Sequence, residues 1–136
     1  MTDRKSVSPV LEVRSLTKTY ISGDRPLTVL DNVSFTIAAG STSAIVGPSG
    51  SGKTTLLGLC AGLDRATSGS VILAGTPLDE LDEDARARLR NERVGFVFQT
   101  FQLVPTLSAV EKVAVPLELR GERNAMARAE EQLDRV

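Results

Sequence analysis

Short apolar runs, separated by clusters of turn-forming residues, fill the first half of the chain. The run at 33–37 alternates apolar and polar positions, which is typical of a half-buried strand. Similar but less regular runs predict further strands at 10–13, 16–20, 43–46, 70–74 and 94–98. Turn clusters at 22–26 and 75–77 separate several of these runs, because glycine and proline favour turns.

Four segments favour helix over strand, at 53–61, 79–93, 108–119 and 124–136. Between 79 and 93 acidic residues come first and basic residues later, an order that complements a helix dipole. We therefore interpret Asp82-Glu83-Asp84 as an exposed helix start and not as a metal site. Pro116 is expected to kink or end the helix at 108–119.

Together these elements predict an α/β fold. Residues from about 10 to 46 are expected to form a small antiparallel sheet that leads into the strand at 43–46. The strand at 94–98 is expected in the same core. Residues 1–9 are expected to be a flexible tail, and residues 10–136 to form one domain or part of one.

The composition excludes several classes of function. Lys and Arg number 16 against 17 Asp and Glu, and this net charge of −1 argues against an electrostatic nucleic-acid binder. The chain has no histidine, so no histidine of this chain acts as base, ligand or sensor. The single cysteine, Cys60, excludes an intrachain disulfide and a Cys-based zinc site, and we expect it to be a small core residue. No stretch is typical of a signal peptide or a bilayer span, which predicts a soluble, intracellular chain.

The strongest chemical signal is the segment GPSGSGKT at 47–54, which fits G-x-x-x-x-G-K-[ST] between a predicted strand and a predicted helix. Its glycines let backbone N–H groups point inward at phosphate oxygens, and the helix that follows adds the positive end of its dipole. Lys53 is expected to reach the β- and γ-phosphates, and Thr54 to offer its hydroxyl to Mg²⁺. The predicted nucleotide-binding residues here are Gly47, Ser49, Gly50, Ser51, Gly52, Lys53, Thr54 and Thr55.

Three further segments accompany this loop in order. Tyr20 ends the sequence LTKTY, the segment AGLDRATSGSV occupies 61–71, and VFQ ends at Gln99. With this set the chain resembles the first half of an ATP-binding cassette subunit, the ATPase of an ABC transporter. The residues that follow Gln99 are similar to the lipoprotein-releasing and macrolide-export group. Two departures from the family pattern are Ala66, where proline is usual, and Lys112, where asparagine is usual.

The resemblance implies a P-loop NTPase fold, with a RecA-like core and an N-terminal antiparallel β-subdomain, that binds ATP and Mg²⁺. It implies that Tyr20 stacks on adenine and that Gln99 binds Mg²⁺, orients water and senses the membrane subunit. The implied partners are transmembrane permease subunits and a second ATP-binding subunit. The implied location is the cytoplasmic face of the inner membrane, where the apolar loop after Gln99 meets a membrane subunit.

Hydrolysis of ATP requires acidic residues that hold Mg²⁺ and polarise water. In the resembling family they end an apolar (Walker B) strand beside the phosphate-loop strand, well after the position of Gln99. These 136 residues contain neither that strand, nor the family signature, nor its switch histidine. Residues 27–31 end in Asp31, but they precede the phosphate loop, and we interpret them as a turn. We therefore expect a partial cassette that does not hydrolyse ATP alone; the alternative is a non-catalytic nucleotide- or partner-binding fragment.

Overall fold

The computed structural model describes residues 8–136, which form two compact units, one up to Ala87 and one from Arg88 to Val136. The predicted tail at 1–9 lies outside the described residues except at its end, where Pro9 already belongs to the first strand. No helix among residues 8–136 is both long enough and apolar enough to cross a membrane.

The first unit is built on a four-stranded antiparallel sheet in the order β2-β1-β3-β4. Its strands are β1 (Pro9–Ser22), β2 (Arg25–Ala38), β3 (Ser68–Leu73) and β4 (Thr76–Pro77). A two-residue turn joins β1 to β2, since Ser22 pairs with Arg25. The second hairpin turns at Ala74 and Gly75, whose φ angles of 49° and 82° fit the turn type that matches strand twist. The predicted antiparallel sheet is therefore confirmed for residues 9–38.

An irregularity in β1 joins two predicted strands into one. Ser15 has a φ of 46°, and the pairing register of β1 shifts at this residue against both of its neighbours, β2 and β3. Strict alternation would place Val13 and Leu16 on opposite faces of the sheet, yet their exposed fractions are 2% and 0%. The bulge at Ser15 turns both side chains into the core.

The turn predicted at 27–31 is wrong, because these residues lie inside β2. The turn-like signal at Asp31-Asn32 marks a second irregularity, where Asn32 has a φ of 49°. Asparagine tolerates this left-handed conformation better than most residues. The backbone amide of Asn32 donates to Thr17 Oγ1 at 3.0 Å, so β2 remains attached to β1 at the irregularity.

Helix α1 (Lys53–Cys60) contacts β2 and β3 and contributes Leu56, Leu59 and Cys60 to the core. Burial raises the pKa of the Cys60 thiol to about 11, as expected of a core cysteine. A short 3₁₀ turn (Leu78–Glu80) leads from β4 toward α2 (Glu83–Arg93). The Asp82 carboxylate accepts from the Ala85 amide at 2.8 Å, so the acidic cluster is a helix start, as predicted.

The second unit contains α3 (Ala109–Leu119) and α4 (Ala125–Leu133). Ser108 caps α3 through a reciprocal pair of hydrogen bonds with Glu111. Pro116 neither ends α3 nor prevents its last turn, and Gly121, with a φ of 76°, follows its end. The two helices pack through small side chains, since Ala114, Ala125 and Ala129 are all buried.

The apolar segments, residues 43–46 and 94–98, are not strands in the structure, so both strand predictions are wrong. They are not helical either. Val46 and Val97 are 88% and 102% exposed, and Phe96 stacks on Phe98 with ring centroids 5.3 Å apart. A strand exists only where a neighbour completes its hydrogen-bond ladder, and neither segment has such a neighbour among residues 8–136.

Candidate nucleotide site

The phosphate loop wraps around the ammonium group of Lys53. Lys53 Nζ donates to the carbonyl oxygens of Gly47 and Pro48, both at 2.7 Å, and lies 3.3 Å from Ser51 Oγ. The Ser51 amide donates to the Pro48 carbonyl at 3.2 Å, which closes a turn inside the loop. The structure therefore places the positive charge of Lys53 against two backbone carbonyls and one hydroxyl of the loop.

Glycine is required at the end of the loop for two reasons. Gly52 has a φ of 89°, a conformation that residues with a Cβ rarely adopt. A Cβ there would lie 2.9 Å from the Val29 carbonyl oxygen and 3.1 Å from Leu30 Cδ2. The loop thus ends against the backbone of β2, at the residue that is the N-cap of α1.

The N-terminus of α1 is suited to an anion. Gly52 is its N-cap and supplies no side-chain cap, and no acidic residue occupies the first turn. The first amides of a helix have no partner within the helix and carry the positive end of its dipole. Lys53, Thr54 and Thr55 make up this turn, and Thr54 is exposed. The loop, the ammonium and these amides together fit a phosphate group.

Tyr20 lies at the same corner of the sheet as the phosphate loop. It pairs with Leu27 of β2, two positions from Val29, whose carbonyl approaches Gly52. Tyr20 is 41% exposed, so part of its surface is open to solvent. The predicted base-stacking residue and the end of the predicted phosphate-binding loop therefore both lie beside the same stretch of β2 in the first unit.

Gln99 belongs to the second unit, directly after the apolar segment at 94–98, and its side chain is exposed. Nothing in the geometry of the first unit bears on its role. Within the described part of the chain, no group of three or more acidic, cysteine or histidine side chains is arranged to hold a metal ion. In the first unit, Thr54 is the predicted magnesium-binding residue.

Two residues that contact Tyr20 were not predicted from the sequence. Lys18 Nζ lies 4.8 Å from the centroid of the Tyr20 ring, and the Tyr20 hydroxyl donates to Asp64 Oδ2 at 3.2 Å. One signal was available for Lys18, since residues two apart on a strand share a face. Asp64 lies in a turn distant in sequence, and no local pattern connects it with Tyr20.

The sequence profile of the ABC transporter family matches residues 30–136. The chain belongs to the ABC transporter family. This result confirms the resemblance predicted from Tyr20, the phosphate loop, the 61–71 segment and Gln99.

Among curated ABC proteins, the chain is 50% identical over 119 residues to the uncharacterized ABC transporter ATP-binding protein YbbA of Escherichia coli, covering 88% of this chain and 52% of YbbA. It is 47% identical over 131 residues to the lipoprotein-releasing system ATP-binding protein LolD of Alcanivorax borkumensis. That match covers 95% of this chain and 58% of LolD. It is 42% identical over 132 residues to the macrolide export ATP-binding/permease protein MacB of Shigella flexneri. That match covers 96% of this chain and 20% of MacB. The predicted subgroup is confirmed, and the chain spans about half the length of YbbA and LolD.

Among solved structures, the chain is similar to the dimeric ATP-binding cassette MJ0796 bound to ADP and Pi in a post-hydrolysis state. The TM-score is 0.83 at 36% sequence identity, and the match covers 91% of this chain and 56% of MJ0796. The P-loop NTPase fold class with an antiparallel β-subdomain is thereby confirmed.

Proposed function

We propose that this chain binds Mg-ATP at the corner formed by the phosphate loop, α1 and Tyr20. The observation that carries the proposal is the position of Lys53, whose ammonium lies 2.7 Å from two loop carbonyls in front of a helix without a side-chain cap. Such an arrangement binds the negative oxygens of a polyphosphate. The ADP and Pi bound by MJ0796, a cassette of the same fold, support it.

Each predicted residue of the first unit has a role in this proposal. The amides of the loop and the hydroxyls of Ser49, Ser51 and Thr55 contact phosphate oxygens, and Tyr20 stacks on the adenine. Thr54 supplies its hydroxyl oxygen to Mg²⁺, which takes oxygen ligands. For Gln99, in the second unit, the role implied by the family resemblance remains a prediction. When bound, Mg²⁺ neutralises charge on the phosphates.

The larger role that we propose is that of the ATP-binding part of an ABC transporter. The names of LolD, a lipoprotein-releasing system ATP-binding protein, and MacB, a macrolide export ATP-binding/permease protein, support this role. The dimer formed by MJ0796 supports pairing with a second ATP-binding subunit. The complete assembly would then act on the cytoplasmic face of the inner membrane.

The loop after Gln99 is the proposed contact with a membrane subunit. Phe101, Leu103 and Val104 are 84%, 58% and 53% exposed, an apolar surface suited to receiving a helix. Crosslinking from position 103 or 107, in the complete protein expressed with its permease, is expected to label the permease. Labelling only from a control position elsewhere on the surface would remove this loop from the interface.

Calorimetric titration of the chain with Mg-ATP tests the nucleotide site. Lys53→Ala removes the central charge and leaves every glycine in place, so we expect affinity to fall by about 100-fold or more, since several charge-assisted hydrogen bonds are lost together. Arg123→Ala, which removes an exposed cation from the second unit, is the matched control and should leave affinity unchanged. Equal affinity in the Lys53→Ala variant and the wild type would refute the assignment.

A further inference from the structure

Lys18, Tyr20 and Asp64 form a closed group of three side chains. Lys18 Nζ lies 4.8 Å from the centroid of the Tyr20 ring and 2.9 Å from Asp64 Oδ2. The Tyr20 hydroxyl lies 3.2 Å from the same carboxylate oxygen. The Tyr20 ring is therefore held at its face by the Lys18 ammonium and at its hydroxyl by the Asp64 carboxylate. Lys18 and Asp64 also form an ion pair.

The turn that carries Asp64 is itself attached on several sides. The Arg65 amide donates to Asp64 Oδ1 at 2.7 Å, and Lys18 Nζ donates to the Arg65 carbonyl at 2.6 Å. The buried Arg86 side chain donates to the Asp64 carbonyl. Both carboxylate oxygens are thus engaged, and the carboxylate has a defined position relative to β1.

The arrangement leaves the two faces of the Tyr20 ring unequal. The Lys18 side chain, only 12% exposed, lies over one face, and an ammonium above a ring face is a favourable cation–π contact. Tyr20 as a residue nevertheless keeps 41% of its surface exposed. A base that stacks on Tyr20 without displacing Lys18 uses the opposite face of the ring.

We propose that Lys18 and Asp64 are positioning residues that hold the Tyr20 ring ready for a purine base and direct the base to the face opposite Lys18. The inference rests on the proposed nucleotide-binding function. A ring that is already oriented loses less side-chain entropy when a ligand binds, so the two residues act on affinity through Tyr20 without touching the base. The lowered pKa of the Asp64 carboxyl, caused chiefly by the hydrogen bond from Lys18, agrees with this geometry because the carboxylate form accepts from the Tyr20 hydroxyl.

Two variants and two ligands separate positioning from simple electrostatics. Lys18→Met removes a positive charge and Asp64→Asn removes a negative one, so a long-range charge effect would move their affinities for an anion in opposite directions. Positioning predicts that both variants lose Mg-ATP affinity, by about three- to tenfold, a fraction of the effect of losing a base–aromatic stack. Both should bind Mg-tripolyphosphate, which has no base, like the wild type. Asp24→Asn, in the exposed β1–β2 turn, is the matched control and should change neither affinity.

The fluorescence of Tyr20 provides a second test of the positioning role. It is the only tyrosine in a chain without tryptophan, so emission excited at the tyrosine band comes from this ring alone. We expect acrylamide to quench this emission more efficiently in Lys18→Met and Asp64→Asn than in the wild type or Asp24→Asn, with no nucleotide present. This readout does not depend on hydrolysis.

The outcomes are distinguishable. A wild-type chain that binds neither ligand would overturn the proposed function and this inference with it. A wild type that binds Mg-ATP, with both variants equal to it, would overturn the inference alone. A parallel loss of Mg-ATP and tripolyphosphate affinity would show that the turn at Asp64 supports the fold of the site in general, and would also overturn the positioning role.

Discussion

The antiparallel sheet and the apolar segments at 43–46 and 94–98 have similar apolar sequences but different structures. Val71 of β3 is 3% exposed, whereas Val97 is 102% exposed. The difference is one of partners, since β1 pairs with β2 through a turn of two residues and with β3 on its other edge.

Antiparallel strands obtain their partners from residues that are close in sequence, because a short turn is enough to join them. Parallel strands of an α/β core are joined only by long crossovers, so each depends on segments far away in the chain. An apolar run therefore becomes a strand only when a neighbour is present to pair with it. Among residues 8–136, the sheet satisfies this condition and the apolar segments do not.

The largest expected effect comes from breaking the sheet at Gly69. This residue has a φ of 85°, and a Cβ there would lie 2.3 Å from the Ser15 carbonyl oxygen at the bulge in β1. We expect Gly69→Ala to lower the free energy of unfolding by about 3 kcal/mol, because backbone would have to move. Gly75→Ala is the control: its φ is also positive, at 82°, but no atom lies within 4 Å, so about 1 kcal/mol is expected. Equal urea midpoints for the two variants would mean that the bulge contact is absent in solution.

The phosphate loop follows the apolar segment at 43–46 and leads into α1, which packs on the sheet. Substitution of Gly52 tests whether the contact with β2 determines the shape of the loop. Gly52→Ala forces a Cβ to within 2.9 Å of the Val29 carbonyl oxygen, whereas Gly50→Ala meets nothing within 4 Å. We expect Mg-ATP affinity to fall by about 30-fold for Gly52→Ala and by several-fold less for Gly50→Ala. Calorimetric titration measures both. A greater loss for Gly50→Ala would show that the contact with β2 does not determine the shape of the loop.

A direct comparison of the two regions uses one substitution in each. Val71→Ala removes buried methyl groups and is expected to lower the free energy of unfolding by about 2 kcal/mol. Val97→Ala removes methyl groups that are already in water, so a change of less than about 0.5 kcal/mol is expected. Denaturant unfolding checks both. A large effect of Val97→Ala would show that the 94–98 segment is packed in solution.

The dependence of stability on the charge of Asp64 is expected to be smaller than the effect of Val71→Ala. Its pKa in the folded chain is below the ordinary value, chiefly because Lys18 donates a hydrogen bond to it. The stabilisation is therefore fully present above about pH 4, the ordinary carboxyl range, and is lost as the pH falls through the lower folded value. Because the carboxylate side chain is 45% exposed, less than about 1 kcal/mol is expected.

Urea unfolding of the wild type and Asp64→Asn between pH 7 and pH 3 measures this effect. The wild type should be the more stable protein at neutral pH, and the difference should shrink on acidification. A difference that stays constant or grows as the pH falls would contradict the ion pair.

The features that the sequence predicted correctly are those whose physical causes are local. The start of α3 at Ser108, the acidic start of α2 and the glycine pattern of the phosphate loop each depend on residues that are close together in the chain. The helices were therefore located to within a few residues, and the glycine-rich loop at 47–54 was recognised from its pattern alone. The family could also be named, because the pattern at the loop, Tyr20 and Gln99 occurs in a fixed order.

Tertiary structure decided what depends on distant residues. The irregularities at Ser15 and Asn32 depend on pairing between strands. Residues 27–31, where a turn was predicted, lie inside β2. Whether an apolar run becomes a strand depends on a neighbour that sequence periodicity does not reveal. The contact of Asp64 with Tyr20 joins residues 44 positions apart. Such contacts form only when β1 and the turn after α1 fold against each other, because hydrogen bonds and ion pairs act over a few ångströms of space, not along the sequence.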